Sequence, residues 1–190
     1  STMPAVSVSM AAADPPTYIS GASYGFQANI TDNNLQTVLI EFNGVNYTAI
    51  NASTYPNVYN VSISGLAADN YSYYWWAIGN GTARTYNYTE IRYYKINNGT
   101  GNVQVYLNGG VINVTVELGS TVTINTSEIA GEGRFTLFRD GIRIANSSGG
   151  ISNTTSANST AGINITAILE QTQNYTYNST QRFIDVRDTV

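Results

Sequence analysis

VLIEFNGVNYTA (residues 38–49) and RFTLFRDGIRIA (residues 134–145) share one pattern: a run rich in apolar residues, a two-residue turn signal, and a second such run. Asn43-Gly44 and Asp140-Gly141 stand at the two centres. A type I′ turn needs a left-handed backbone at both central residues, and Asn, Asp and Gly adopt it at least cost. The twist of that turn matches the twist of the strands it joins, so each stretch predicts a tight β-hairpin.

Outward from the hairpins the same chemistry continues. Apolar residues alternate with polar ones in SYGFQANIT, NVYNVSIS, GVINVTVEL and AGINITAIL, separated by Gly, Asn, Asp and Ser. Strand side chains alternate between faces with period two, and no sustained 3.6-residue pattern occurs, so the chain is predicted to be all-β. Strands are expected near 5–10, 23–31, 36–43, 45–50, 57–64, 70–79 and 84–96. After the polar segment KINNGTGN (95–102) they are expected near 102–107, 111–118, 120–126, 133–139, 142–146, 161–170 and 181–188. Each half holds one strong hairpin and ends in long strands, which predicts two sandwich domains, 14–96 and 97–190, preceded by an N-terminal strand within 1–13. The first half holds 12 of the 15 tyrosines and both tryptophans. In NYSYYWWAI, Tyr71, Tyr73, Trp75 and Ala77 are expected to face the core, and Tyr74, Trp76 and Ile78 to face outward. Leu66, five residues before Tyr71, suggests a tyrosine corner, in which a phenol ties the sandwich end to backbone; an ordinary core tyrosine is the other reading.

Composition narrows the function. Charged residues are 11% of the chain, net charge is −4, and Lys95 is the one lysine. No basic patch exists to neutralise phosphates or anionic lipid, so neither nucleic-acid nor membrane-surface binding is expected. Histidine and cysteine are absent, which removes the commonest general base, the thiolate nucleophile and any disulfide. Glu128/Glu132 and Asp185/Asp188 are the carboxylate pairs, and they fall at turns or a terminus; no enzyme and no cofactor are expected. Asp32-Asn33-Asn34, with Asp14 or Asp69, supplies hard oxygen ligands for Ca²⁺, but Asp and Asn in turns explain the same residues and are preferred. No apolar run nears 18 residues, so this chain is not expected to enter a membrane. Beginning at Ser1 without Met, it reads as a mature product or an excised region.

The densest signal is the sequon N-x-[ST]. It occurs at Asn29, Asn46, Asn51, Asn60, Asn70, Asn80, Asn87, Asn98, Asn113, Asn125, Asn146, Asn153, Asn158, Asn164, Asn174 and Asn178, which is 16 of 23 asparagines. Chance pairing with Ser and Thr would give about five. In the four alternating stretches above, the sequon asparagine lies on the polar face, where a bulky hydrophilic modification is tolerated. N-linked glycans are therefore expected along the whole chain, and with them an extracellular location.

The lead-in ANITDNNL, followed by QTVLIEFNGVNYT, GLAADNYSYYWWA and an aromatic closing strand, resembles the immunoglobulin-like repeats of archaeal cell-surface and extracellular filament proteins. GEGRFTLFRDGIRI followed by GINITAILEQTQNYTYNSTQRFIDV is similar to a second repeat type of such proteins. The resemblance implies two tandem immunoglobulin-like β-sandwich domains that build stalks, surface layers or filaments. PAVSVSMAAA places Val6, Val8 and Met10 at alternate positions before Asp14-Pro15-Pro16, so this strand either completes its own sandwich or projects to complete a neighbour's. The projecting strand is preferred, since Pro15-Pro16 makes a stiff, extended hinge. A head-to-tail homo-oligomer is then expected, with Val6, Val8, Met10, Tyr74 and Trp76 at its contacts. The alternatives are a spacer segment of a larger surface protein, and an adhesin that stacks sugars on Tyr74 and Trp76.

Overall fold

A computed structural model of the chain describes residues 4–7, 16–31, 34–52, 54–80 and 85–189. The described residues form strands and turns without a helix and divide into two compact units, Ser1–Asn97 and Asn98–Val190. The sequence placed the division one residue earlier.

The first unit carries β1 (Ala5–Ser7), β2 (Ser23–Thr31), β3 (Leu35–Phe42), β4 (Val45–Thr48), β5 (Ile50–Asn51), β6 (Val58–Ser64), β7 (Asn70–Gly79), β8 (Tyr86–Tyr88) and β9 (Arg92–Lys95). They form one sheet in the order β1-β2-β6-β5 and a second in the order β4-β3-β7-β8, with β9 also on β7. That division of strands between two sheets is the immunoglobulin-type sandwich. The alternation in SYGFQANIT places Tyr24, Phe26, Ala28 and Ile30 inside, against Val38, Ile40 and Phe42 of β3 and Tyr73, Trp75 and Ala77 of β7. The core between the sheets is aromatic: the Phe26 and Phe42 rings are 5.1 Å apart, and Phe26 meets Tyr94 edge-on at 5.0 Å. Asn43 (φ 49°) and Gly44 (φ 82°) both take the left-handed conformation that the β3–β4 hairpin requires.

The second unit carries β10 (Gly99–Thr100), β11 (Asn102–Leu107), β12 (Val114–Glu117), β13 (Thr121–Ala130), β14 (Phe135–Arg139), β15 (Ile142–Ser147), β16 (Ser152–Ser156), β17 (Ile163–Leu169), β18 (Tyr175–Thr176) and β19 (Asn178–Arg187). A three-stranded sheet, β11-β13-β16, faces a five-stranded one, β12-β19-β17-β14-β15, and β10 and β18 make a short parallel pair. This core is aliphatic, built from Val105, Leu107, Ile124, Leu137, Ile165, Leu169 and Ile184, with Phe135 as its buried ring. Asp140 (φ 50°) and Gly141 (φ 79°) make the second predicted turn. Both units are thus tandem immunoglobulin-like β-sandwiches.

The strand expectations change in several places: the one expected near 45–50 divides into β4 and β5, which belong to different sheets, and the short pair β10 and β18 was not expected. The segment near 84–96 is two strands, because Thr89 interrupts the ladder: its Oγ1 accepts from the Trp75 N–H at 3.0 Å while its own N–H bonds the Trp75 carbonyl. Strand β16 was missed, since SNTTS has no apolar alternation. Its inward Thr155 is 5% exposed and is satisfied by the Arg139 guanidinium at 2.6 Å. In GVINVTVEL, Val114 and Val116 pack on the core, but Ile112 and Leu118 are exposed, because the paired strand spans Val114–Glu117 alone.

Candidate functional site

The outer face of the β4-β3-β7-β8 sheet gathers the side chains expected to point outward. Register places Thr48, Leu39, Trp76 and Tyr88 in one cross-strand row, and Asn46, Glu41 and Tyr74 in the next. The interruption at Thr89 separates β8 from β9, and beside it opens a groove of about 610 Å³ lined by Tyr74, Trp76, Tyr86, Tyr88, Thr89, Glu90 and Ile91. Tyr86, Tyr88 and Ile91 are each more than 60% exposed. The Trp76 indole N–H reaches Asn46 Oδ1 at 3.4 Å. A hydrogen bond to Glu41 pushes the Tyr74 phenol above its ordinary pKa, so it stays neutral. Chemically the groove combines aromatic rings with a carboxylate and hydroxyl-bearing side chains. The sequence singled out Tyr74 and Trp76; it did not bring Tyr86, Tyr88 and Ile91 to them. The exposed alternation in RTYNYTEI was the available signal.

The N-terminal strand lies at the edge of the other sheet. Ala5–Ser7 pair antiparallel with β2, Val6 opposite Ile30, so in this chain the strand pairs within its own domain rather than projecting. Val8 and Met10 lie outside the described residues. Buried Pro4 accepts a hydrogen bond at 2.7 Å from Nδ2 of Asn87. Asn87 sits opposite the fully buried Ala77 and so faces inward at the edge of β8.

None of the sixteen sequon asparagines is buried. Asn29, Asn46, Asn51, Asn70, Asn80, Asn98, Asn113, Asn146 and Asn158 are exposed; Asn60, Asn87, Asn125, Asn153, Asn164, Asn174 and Asn178 are half-buried. Several are engaged in the fold. Asn98 donates to the Gln173 carbonyl, Asn174 to Glu132 at 2.8 Å, and Asn51 to the Pro56 carbonyl at 2.7 Å. Asn113 accepts from the Phe183 N–H at 3.0 Å and Asn178 from the Val103 N–H at 3.2 Å. Asn146 lies between Arg134 and Thr136.

Of the weaker candidates, Asp14, Asp32 and Asn33 lie outside the described residues, and Asp69 caps the Asn70 N–H at 2.7 Å. Among the described residues no three metal-ligating side chains cluster. Glu128 has its carboxyl pushed above the ordinary value, first by partial burial and then by the charge of Glu132.

No family model and no curated protein matches the chain. Solved structures that it resembles are tandem β-domains. The fibronectin(III)-like modules of Clostridium thermocellum CbhA share 13% identity at a TM-score of 0.39, over 97% of this chain and 95% of theirs. A titin immunoglobulin tandem shares 11% identity at 0.38, over 98% and 97%. A structure from a 1.5-MDa bacterial ice-binding adhesin shares 16% at 0.42, over 98% of this chain and 66% of its own. With likeness this low, none of these proteins transfers a role to this chain.

Proposed function

We propose that this chain is a heavily N-glycosylated structural subunit of an extracellular filament, joined to its neighbours by strand addition. The observation that carries the glycoprotein reading is that none of the sixteen sequon asparagines is fully buried and nine of them are exposed. A chain with 11% charged residues needs another source of hydration, and glycans distributed over both domains supply it. For assembly, the support is the position of β1. It holds a sheet edge through three register pairs, and what it offers β2 is backbone hydrogen bonding common to any extended segment. The same segment of a second copy fits the same edge, and head-to-tail repetition of that exchange gives an open filament.

The pairing of β1 within its own domain favours a second reading, a spacer segment of a larger surface protein. Electron microscopy of natively purified protein beside a version lacking residues 1–12 separates the two. Filaments from the intact protein alone support strand exchange through Val6, Val8 and Met10; single particles from both overturn it and leave the spacer. The groove supports a third reading, sugar contact at Tyr74 and Trp76, which predicts that Trp76→Ala abolishes sugar-dependent adhesion.

A further inference from the structure

We infer that the aromatic groove of the first unit is the seat of the chain's own carbohydrate: the oligosaccharide attached at Asn46 folds back onto Trp76 and extends over Tyr74 and Tyr88. This rests on the glycoprotein reading. Asn46, which receives the sugar, and Thr48, the hydroxyl position of its sequon, are both exposed, and both lie in the cross-strand rows that contain Trp76 and Tyr74. The bond from Trp76 engages Oδ1 of Asn46 and leaves Nδ2, the atom that carries the sugar, as the point of attachment. The first sugar therefore starts beside the indole, and Trp76 itself forms a wall of the groove.

The chemistry of the groove matches a sugar ring. Pyranose rings present an apolar C–H face, which covers aromatic rings, and hydroxyls at the ring edge, which need polar partners. Here the rings come from Trp76, Tyr86 and Tyr88, and the Glu90 carboxylate stands among them. An open patch of large exposed aromatics on a weakly charged protein is an aggregation hazard unless something covers it. A second subunit is the competing occupant, but an oligosaccharide rooted at Asn46 would stand in the path of any protein approaching that face. The glycan makes the patch wettable and shields it at once.

The test uses the protein purified from its native host. Glycopeptide mass spectrometry first reports whether Asn46 is occupied. Acrylamide quenching of tryptophan fluorescence then reports on Trp76, because Trp75 is 0% exposed and protected in the core. The expected result is an occupied Asn46 and a loss of protection, read as a higher quenching constant, in both Asn46→Gln and Thr48→Ala. The control Asn113→Gln, in the second unit, leaves quenching unchanged. Thr48→Ala removes the glycan and keeps the Asn46–Trp76 contact, so a rise in Asn46→Gln alone overturns the inference. An occupied Asn46 with unchanged quenching in both variants overturns it and leaves glycosylation standing. An unoccupied Asn46 overturns it together with the glycoprotein reading at that position.

Discussion

Tyr71 offers a test of how the first sandwich is closed. Its hydroxyl donates to the Ala67 carbonyl at 3.1 Å, four residues back along the segment that leads into β7. Its ring stacks on Phe42, centroids 5.2 Å apart with an interplanar angle of 27°. Tyr71→Phe removes the hydroxyl and keeps the ring. A neutral hydrogen bond of this kind contributes about 0.5–1.5 kcal/mol net, and the freed carbonyl is near enough to the surface to recruit water, so a loss of about 1 kcal/mol is expected. Tyr71→Ala removes the ring as well. Full burial would put that loss at about 3–5 kcal/mol, and the half-buried ring places it toward the lower end. Both tryptophans belong to the first unit, so selectively excited tryptophan fluorescence during urea unfolding reports that domain alone. With a urea slope of about 1–3 kcal/mol per molar, Tyr71→Phe should lower the midpoint by about 0.3–1 M. An unchanged midpoint would refute the tether, and a Tyr71→Phe loss as large as that of Tyr71→Ala would refute the division between hydroxyl and ring.

Gly133→Ala should destabilise the second domain by at least about 1–3 kcal/mol, since an added Cβ would lie 2.0 Å from the Glu170 backbone carbonyl oxygen. Gly25→Ala, with nothing within 4 Å of the new carbon, should be neutral or stabilising by about 0.5–1 kcal/mol; calorimetry of both variants checks the contrast. Glu128 has a raised pKa in the fold, so the stability it contributes is present below the ordinary carboxylate range and is lost as pH rises through the raised value. Melting temperatures of Glu128→Gln and the native protein should therefore agree at acid pH and diverge toward neutrality, with the native protein lower; a constant difference would sink the assignment. At the Asn87 sequon, Nδ2 donates to the Pro4 carbonyl, Oδ1 accepts from the Tyr88 N–H, and the Thr89 hydroxyl is held by Trp75 and Glu90. Asn87 should stay unmodified in native protein whose β1 pairs in its own domain, and deleting residues 1–7 should raise its occupancy in glycopeptide maps.

The inward residues of β2 and β7 could be read from the sequence because a strand alternates its side chains whatever it packs against. Tyr24, Phe26, Ala28 and Ile30, and Tyr73, Trp75 and Ala77, needed only that rule. The turns at Asn43-Gly44 and Asp140-Gly141 were equally local, since left-handed backbone selects those residues directly. Strand β16 was not local: Ser152–Ser156 has no apolar rhythm, and its buried Thr155 is tolerated because Arg139, sixteen residues away, supplies the hydrogen bond.

The candidate site divides along the same line. Outward exposure of Tyr74 and Trp76 followed from the parity of β7, and the sequon pattern followed from composition. The groove itself depends on cross-strand register, which brings Tyr88 opposite Trp76 and carries Asn46 to the indole thirty residues away. The partner of β1 was undetermined for a different reason. Strand pairing is written in backbone groups that every residue shares, so Val6 carried no mark of where it would pair, and the tertiary structure placed it beside Ile30 of its own domain. Alternation and turn chemistry, being properties of neighbouring residues, were set by the sequence alone; register, the groove and the choice of partner strand arise from contacts between distant segments, and the folded chain decided them.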